Sequence, residues 1–326
     1  MSTGLQGDAR LLAGFWLGVL GVAIFAITLP ATRMATGSTA DPQLSPAFLT
    51  AGRAALAGLL SAAFLLLTRS PRPQRRHWRP LLLAVAGNVI GFPVLLAVAM
   101  RSVTATHAAV IMALGPLATA VAVAIMMGQR ARPAFWWCTV AGSALVMLFA
   151  WLRAQEAGGF GLAWADVLLI GAVIAASIGY VAGAQVTPDL GAERTICWVC
   201  AAALPLSLPA AWWLWPADAA AMRPSAWAGF VYVGMFSMWA GFFAWYRGLE
   251  WGGALRVSQV LLLQPFLTML FAVPLLGERL DALSLGFATA VVLTVFVGRR
   301  LSLPAPAVAS LAGGDPQTVS LPKAQE

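Results

Sequence analysis

Apolar runs of about twenty residues recur along the whole sequence. Each is long enough to cross the roughly 30 Å hydrocarbon layer of a membrane as a helix. Apolar residues make up 60% of the chain and charged residues 10%, against about 25% charged residues in soluble domains. So few charged side chains cannot cover a surface that faces water. The chain is therefore predicted to be an all-α integral membrane protein.

The apolar runs predict ten transmembrane helices, and a polar tail follows the last of them. The tail, residues 301–326, is rich in Pro, Ala, Gly and Ser, and we expect it to be disordered. The predicted spans are 11–32, 46–68, 80–100, 104–127, 133–152, 165–187, 195–215, 225–247, 253–276 and 281–299.

The basic residues predict how the spans are oriented. Arg and Lys concentrate in cytoplasmic loops, and the densest cluster here lies in residues 69–79. Placing that cluster inside puts both termini in the cytoplasm. The net charge of +8 lies in short gaps between apolar runs, so we expect no nucleic-acid partner. The predicted location is the bacterial inner membrane, with a multi-pass topology.

Two distant stretches share one unusual pattern. GPLATAVAVAIMMGQRA (115–131) falls in the fourth span, and QPFLTMLFAVPLLGERL (264–280) falls in the ninth. Because five spans separate them, the two copies must cross the membrane in opposite directions. This predicts a 5+5 inverted repeat, with copies at 11–152 and 165–299, as in secondary transporters. The pairs that match at a separation of 149 residues are Pro116 and Pro265, Thr119 and Thr268, Gly128 and Gly277, and Arg130 and Arg279.

Further stretches carry a family resemblance over about residues 11–300. FAITLPATR (25–33), AFLTAGRAALAG (47–58), AWYRGLEWGGALRVSQVLLLQPFLTML (244–270) and the G-E-R-L that closes the ninth span resemble the EamA-type transporters of the drug/metabolite transporter superfamily. The resemblance implies export of amino acids, sugars or other metabolites. It also implies a central cavity lined by spans one, three, four, six, eight and nine. The first copy departs from the pattern, with Gln129 where the second has Glu278.

Polar side chains in those spans are the candidates for lining the cavity, because polar groups in hydrocarbon face the bundle interior. Asn88 and Ser237 also match at a separation of 149 residues. The alternative for such groups is hydrogen bonding between helices. The prolines either free carbonyls for a solute or only kink their helices. The predicted cavity residues are Thr28, Asn88, Pro116, Ser177, Tyr180, Ser237, Trp239, Gln259, Gln264 and Pro265, and Trp245 and Tyr246 are further candidates in the same spans.

Two basic side chains are candidates for charge contacts. Arg53 lies about seven residues into the second span, or roughly 10 Å deep at 1.5 Å per residue. It either extends to the membrane surface or contacts an anion or carboxylate. His107 opens the fourth span, where it either anchors the helix at the interface or relays protons.

The acidic residues narrow the solute class. All twelve lie at span ends, in gaps or in the termini, so no carboxylate is placed mid-membrane. Ion-coupled transporters usually keep such an acid. We therefore expect facilitative export, or coupling through a group near one face. The predicted solutes are neutral, zwitterionic or weakly anionic small molecules such as amino acids, and polyamine-like cations are not expected.

Other functional classes have less support. The motifs of zinc proteases, prenyl-diphosphate enzymes and serine hydrolases are absent from the sequence, so an enzyme is not predicted. A membrane enzyme and a non-transporting partner protein remain the alternatives. Cys138, Cys197 and Cys200 are predicted to pack in apolar helices, and we expect no metal or cofactor. The expected partners are a small solute and lipid, and the predicted state is a monomer or a homodimer.

Overall fold

A computed structural model of the chain describes residues 2–128, 133–156, 163–252 and 259–302. Within these ranges the fold is one bundle of helices, several of them interrupted, which are numbered α1 to α10 in chain order. Their bounds are α1 (Ser2–Ala26 and Thr28–Thr36), α2 (Pro46–Leu67), α3 (Arg75–Ala84, Val85–Gly91 and Phe92–Ala99), α4 (Ala105–Met112 and Gly115–Met126), α5 (Pro133–Glu156), α6 (Trp164–Leu190), α7 (Ala192–Trp213), α8 (Pro224–Val231, Tyr232–Ala240 and Gly241–Gly252), α9 (Gln259–Leu263 and Gln264–Leu276) and α10 (Ala282–Ser302).

The prediction of an all-α membrane protein is confirmed. Seven helical stretches are long and apolar enough to cross a membrane, and α5, α9 and α10 contain shorter apolar segments. The spans predicted as continuous are nevertheless interrupted in α1, α3, α4, α8 and α9. The first two residues of the predicted tail, Leu301 and Ser302, complete α10, and the rest of the tail lies outside the described residues.

The interruptions in α4 and α9 follow the sequence repeat. The second segment of α4 begins at Gly115 and that of α9 at Gln264, which is again a separation of 149 residues. Each segment has its proline at the second position, where the first turn of a helix needs no N–H donor. Gly128 and Gly277 follow the ends of these segments with φ of 65° and 67°, a left-handed conformation that glycine adopts at low cost. The backbone thus repeats with the sequence.

A second pair of interruptions consists of π-helical turns in α3 and α8. Val85–Gly91 contains Asn88, and Tyr232–Ala240 contains Ser237. Pro93 has no N–H to donate to the preceding turn, which helps to explain the change of helix type in α3. Because π-helical turns are rare and often found at functional sites, their presence in both copies indicates a feature kept for function.

The two halves interlock through their first helices. The first helix of the chain, α1, packs on α8 and α9 of the second half, and α6 packs on α3 and α4 of the first half. Glycine allows these helices to touch through their backbones. A Cβ atom at Gly179 would lie 2.4 Å from Asn88 Oδ1, and one at Gly248 would lie 2.7 Å from the backbone nitrogen of Gly18.

Basic side chains make contacts at both ends of the bundle. At one end, Arg76 and His77 contact Asp189, and Arg247 donates from Nε to Glu193 at 2.9 Å. We call this end, which carries residues 69–79, the basic face. At the other end, called the opposite face, Arg33 donates to the carbonyl of Met100.

We predict that Gly179→Ala destabilises the protein. The new methyl group would meet the backbone nitrogen of Asn88 at 2.8 Å, so α3 and α6 would have to separate. Overpacking of this kind costs about 1–3 kcal/mol. Thermal unfolding in detergent should therefore begin at a lower temperature.

Gly183→Ala on the same helix is the matched control, because nothing lies within 4 Å of its Cβ position. Equal melting temperatures for the two variants would contradict close packing of α3 on α6 at Gly179.

Candidate substrate cavity

One cavity of about 900 Å³ lies between the two halves of the bundle. This is within the range of about 300–1,000 Å³ typical of small-molecule sites. The cavity reaches the basic face, where Met127, Thr187, Pro188 and Gly191 form its rim. Toward the opposite face the helices are closely packed around a buried apolar cluster that includes Leu29, Leu96, Met100 and Ile111.

The structure brings most of the predicted cavity residues together. They come from both halves of the chain and from six different helices. Among the predicted residues, the lining contains Thr28, Arg53, Asn88, Ser177, Tyr180, Ser237, Gln264 and Pro265.

Trp239 is not part of the lining, contrary to the prediction. It follows Ser237 by two residues, and residues at that spacing point to different sides of a helix. Its ring instead packs on Phe243, with ring centroids 4.8 Å apart. Trp245 is eight residues after Ser237, on the same side of the helix, and it does line the cavity. The side chains of Pro116, Gln259 and Tyr246 lie outside what the structure describes.

Hydroxyl groups from both halves are hydrogen-bonded across the cavity wall. Thr28 Oγ1 lies 2.8 Å from Ser237 Oγ, which joins α1 to α8. Thr119 donates to Ser177 Oγ at 3.2 Å, which joins α4 to α6. Thr28 and Ser177 are also 149 residues apart, so each bond contains one member of this matching pair, although their partners come from different helices of the repeat.

The break in α1 is held by donors from the second half. Thr268 donates to the carbonyl of Ala26 at 2.9 Å, directly before the break at Ile27. Tyr232 donates to the carbonyl of Ile24 at the same distance. Both carbonyls would otherwise lack partners in an apolar surrounding, so these bonds fix the shape of the cavity wall.

Thr119 and Thr268 line the cavity, although the sequence suggested them only as matching members of the repeat. Their separation of 149 residues was the available signal. Ser177 likewise lies 149 residues after Thr28. The repeat alone therefore pairs the hydroxyl groups of Thr28, Ser177, Thr119 and Thr268, which all line the cavity.

The charge in the cavity comes from Arg53. This residue is 3% exposed and does not extend to the membrane surface. Among the described lining residues there is no Asp or Glu, and Arg53 is the only charged one. The remaining surface includes the aromatic rings of Phe25, Phe242 and Trp245. The described lining is therefore apolar with one positive charge.

His107 lies outside the cavity, near the opposite face. Its Nε2 atom is 2.6 Å from Asp166 Oδ1, and the Asp166 carboxylate also accepts from the backbone of Ala163. Through this contact His107 ties the start of α4 to the start of α6. In the described ranges of the chain, no group of three His, Cys, Asp or Glu residues is placed to hold a metal ion.

An interlocked pair of helical halves with a cavity between them is the architecture of a membrane transporter. The chain belongs to the EamA-like transporter family, whose profile matches residues 12–154 and 163–298. The resemblance noted in the sequence is thereby confirmed.

One relative supports this assignment, and one solved structure supports the fold. Over 288 residues the chain is 39% identical to a protein named Uncharacterized transporter YdeK from Bacillus subtilis (strain 168). The aligned region covers 88% of this chain and 97% of that protein. A solved crystal structure of a protein with 21% identity shares the fold, with a TM-score of 0.59 over 89% of this chain and 97% of that one.

We predict that Thr268→Val destabilises the protein. Valine keeps the shape of the side chain but leaves the buried carbonyl of Ala26 without its donor. The loss should be about 1–3 kcal/mol, the cost of an unpaired buried acceptor. It should appear as a lower melting temperature in detergent.

Thr289→Val is the matched control, because its exposed hydroxyl bonds only to the carbonyl of Leu285 in its own helix. Equal stability of the two variants would show that the bond from α9 to α1 does not hold the break.

Proposed function

We propose that this transporter exports small neutral or zwitterionic metabolites, such as amino acids, across the bacterial inner membrane by alternating access. The observation that carries the proposal is a cavity between the halves that reaches the basic face and is sealed by packed helices toward the opposite face. The positive-inside rule assigns the basic face to the cytoplasm. In this arrangement the cavity loads from the cytoplasm, as an exporter requires.

The chemistry of the described lining supports this class of solute. The volume of about 900 Å³ accommodates an amino acid with any natural side chain. Aromatic and aliphatic side chains provide apolar surface, and the hydroxyl and amide groups provide hydrogen bonds. Because the described lining has no carboxylate, it offers no acidic partner for a cationic solute and no acid to carry a coupling proton. This composition favours facilitative export, or coupling through a group near one face.

A contact of Glu278 holds the opposite face closed. Its Oε1 accepts from the backbone of Ala105 at 2.7 Å, and its Oε2 accepts from Thr106 at 2.9 Å. The carboxylate thus caps the positive N-terminus of α4. Since Glu278 follows α9 in the second half, the contact joins the two halves at the end that must open for release.

Counterflow in proteoliposomes tests the proposal. Vesicles containing the purified full-length protein are preloaded with a panel of unlabelled amino acids and small metabolites, and the entry of labelled solute is followed with and without a pH gradient. Exchange of a neutral or zwitterionic solute that ignores the gradient is the expected result. Accumulation that tracks the gradient would contradict facilitative export, and exchange of no solute would contradict the proposal.

We predict that Glu278→Gln shifts the protein toward the state that is open at the opposite face. The amide can accept only one of the two backbone bonds, and it carries no charge for the helix N-terminus. A loss of about 1.4 kcal/mol would shift the population about tenfold. A cysteine at Ala109, which lines the cavity near this face, should then react faster with an impermeant maleimide applied from the opposite face.

Asp281→Asn in the same loop is the matched control, because the Asp281 side chain caps its own helix at Ser284. The test uses a background in which Cys138, Cys197 and Cys200 are replaced by alanine. Equal labelling rates in both variants would contradict a closing role for Glu278.

A further inference from the structure

Arg53 has a charge that the described protein does not neutralise. It is 3% exposed, lines the cavity and makes no salt bridge with any described residue. Its Nε atom has no hydrogen-bond partner there. An isolated buried charge is strongly unfavourable, and buried cations in proteins are normally paired. The empty cavity therefore lacks a negative group beside Arg53.

Three other arginines of the chain have a carbonyl or carboxylate partner in the structure. Arg33 donates to the carbonyl of Met100, Arg223 pairs with Asp41, and Arg247 pairs with Glu193. All three lie toward the ends of the bundle. Arg53 lies deeper, where a Cβ atom at Gly234 would come 3.4 Å from its Cα. Glycine at this position lets α2 pack closely on α8 beside Arg53, whose side chain is buried in the bundle.

The neutral polar groups of the cavity define the rest of the site. Most hydroxyls are already paired with each other or with a carbonyl, as for Thr28 with Ser237 and Thr268 with Ala26. In contrast, Asn88, Tyr180 and Gln264 line the cavity with no hydrogen bond to a described residue. They can donate to or accept from a solute, but none of them provides a negative charge.

The missing partner is best matched by a single carboxylate. The planar guanidinium of arginine binds a carboxylate through two parallel hydrogen bonds. A phosphate monoester can also accept two hydrogen bonds from the guanidinium, but its second negative charge would remain unpaired against an apolar lining. A cationic group would meet repulsion from Arg53 and no acid in the described lining.

We propose that Arg53 binds the carboxylate of the solute and that this carboxylate is the group the carrier requires. The inference rests on the proposed function and names its substrate class. A solute ammonium group meets only amide oxygens, the tyrosine hydroxyl and aromatic faces, so it is tolerated but not required. The 2-oxo and 2-hydroxy acids are therefore substrates along with the amino acids of the same side chain, whereas the corresponding amides and amines are not.

Matched sets of solutes test this proposal on the full-length protein. One set is L-leucine, 4-methyl-2-oxopentanoate, L-leucinamide, isopentylamine and isopentyl phosphate, and a second set carries the phenylalanine side chain. Binding is measured by calorimetry in detergent and exchange by counterflow. The wild type should bind and exchange the amino acid and the oxo acid of a set, and should reject the amide and the amine.

The variants Arg53→Gln and Arg53→Lys assign the carboxylate contact to this residue. In Arg53→Gln the solute carboxylate loses its charged partner, so its binding should weaken about 100-fold. Arg53→Lys keeps the positive charge but loses the two parallel hydrogen bonds, so its affinity for the carboxylate should lie between those of Arg53→Gln and the wild type. Arg101→Gln is the matched control, because Arg101 Nε also lacks a partner but the residue lies outside the cavity, and it should bind as the wild type does.

Stability gives a readout that does not depend on transport. Without solute, Arg53→Gln should melt at a higher temperature than the wild type, because an unpaired charge is removed. With leucine or the oxo acid present, the wild type should gain more thermal stability than the variant. A lower melting temperature of the solute-free variant would contradict an unpaired Arg53.

The outcomes separate this inference from the proposed function. Equal exchange of leucine and leucinamide, or an unchanged carboxylate preference in Arg53→Gln, overturns the role of Arg53 and leaves export of metabolites standing. Preference for the phosphate ester overturns the carboxylate assignment and leaves an anion site. Exchange of no solute in either set or in the wider panel overturns both proposals.

Discussion

A backbone inside hydrocarbon must satisfy its own hydrogen bonds, and this constraint governs the structure. A continuous helix meets it alone, whereas an interrupted helix needs donors and acceptors from elsewhere. All five interrupted helices contribute to the cavity lining, together with the unbroken α2, α6, α7 and α10. The irregular backbone is thus confined to the part of the bundle where other side chains can reach it.

The interlocking of the halves follows from the same constraint. The freed carbonyl of Ala26 in α1 is met by Thr268 of α9, and the hydroxyl of Thr28 just after the break meets Ser237 of α8. The second half thus supplies what the broken first helix of the chain needs, and Thr119 of the first half is hydrogen-bonded to Ser177 of α6. A motion that separates the halves must therefore preserve or exchange these bonds. Contacts at the two faces can change more freely, since water can replace them, and the capping of α4 by Glu278 is one such contact.

The sequence was sufficient for the parts of the fold that follow from hydropathy and repetition. Apolar length predicted the helices, and the separation of 149 residues predicted that Pro116 and Pro265 would match, as both stand second in a helical segment. Polar residues in apolar helices predicted seven residues that line the cavity, and the repeat added Pro265. The π-helical turns were not predictable in this way, because they depend on packing as well as on Pro93. Trp239, a predicted cavity residue, follows Ser237 by two residues and lies on another side of α8, whereas Trp245 lies on the cavity side.

Arg53 shows why depth in a helix does not determine the environment of a charge. The sequence placed it roughly 10 Å from a helix end, a distance that an arginine can span to reach the surface. Close packing of α2 at Gly234 holds it inside, where it faces the cavity. On the proposed role, closing an empty cavity would bury the charge without a partner, whereas closing it around a carboxylate would bury a neutral pair. The solute would then lower the free energy of the closed intermediate, and exchange would be faster than the return of the empty carrier.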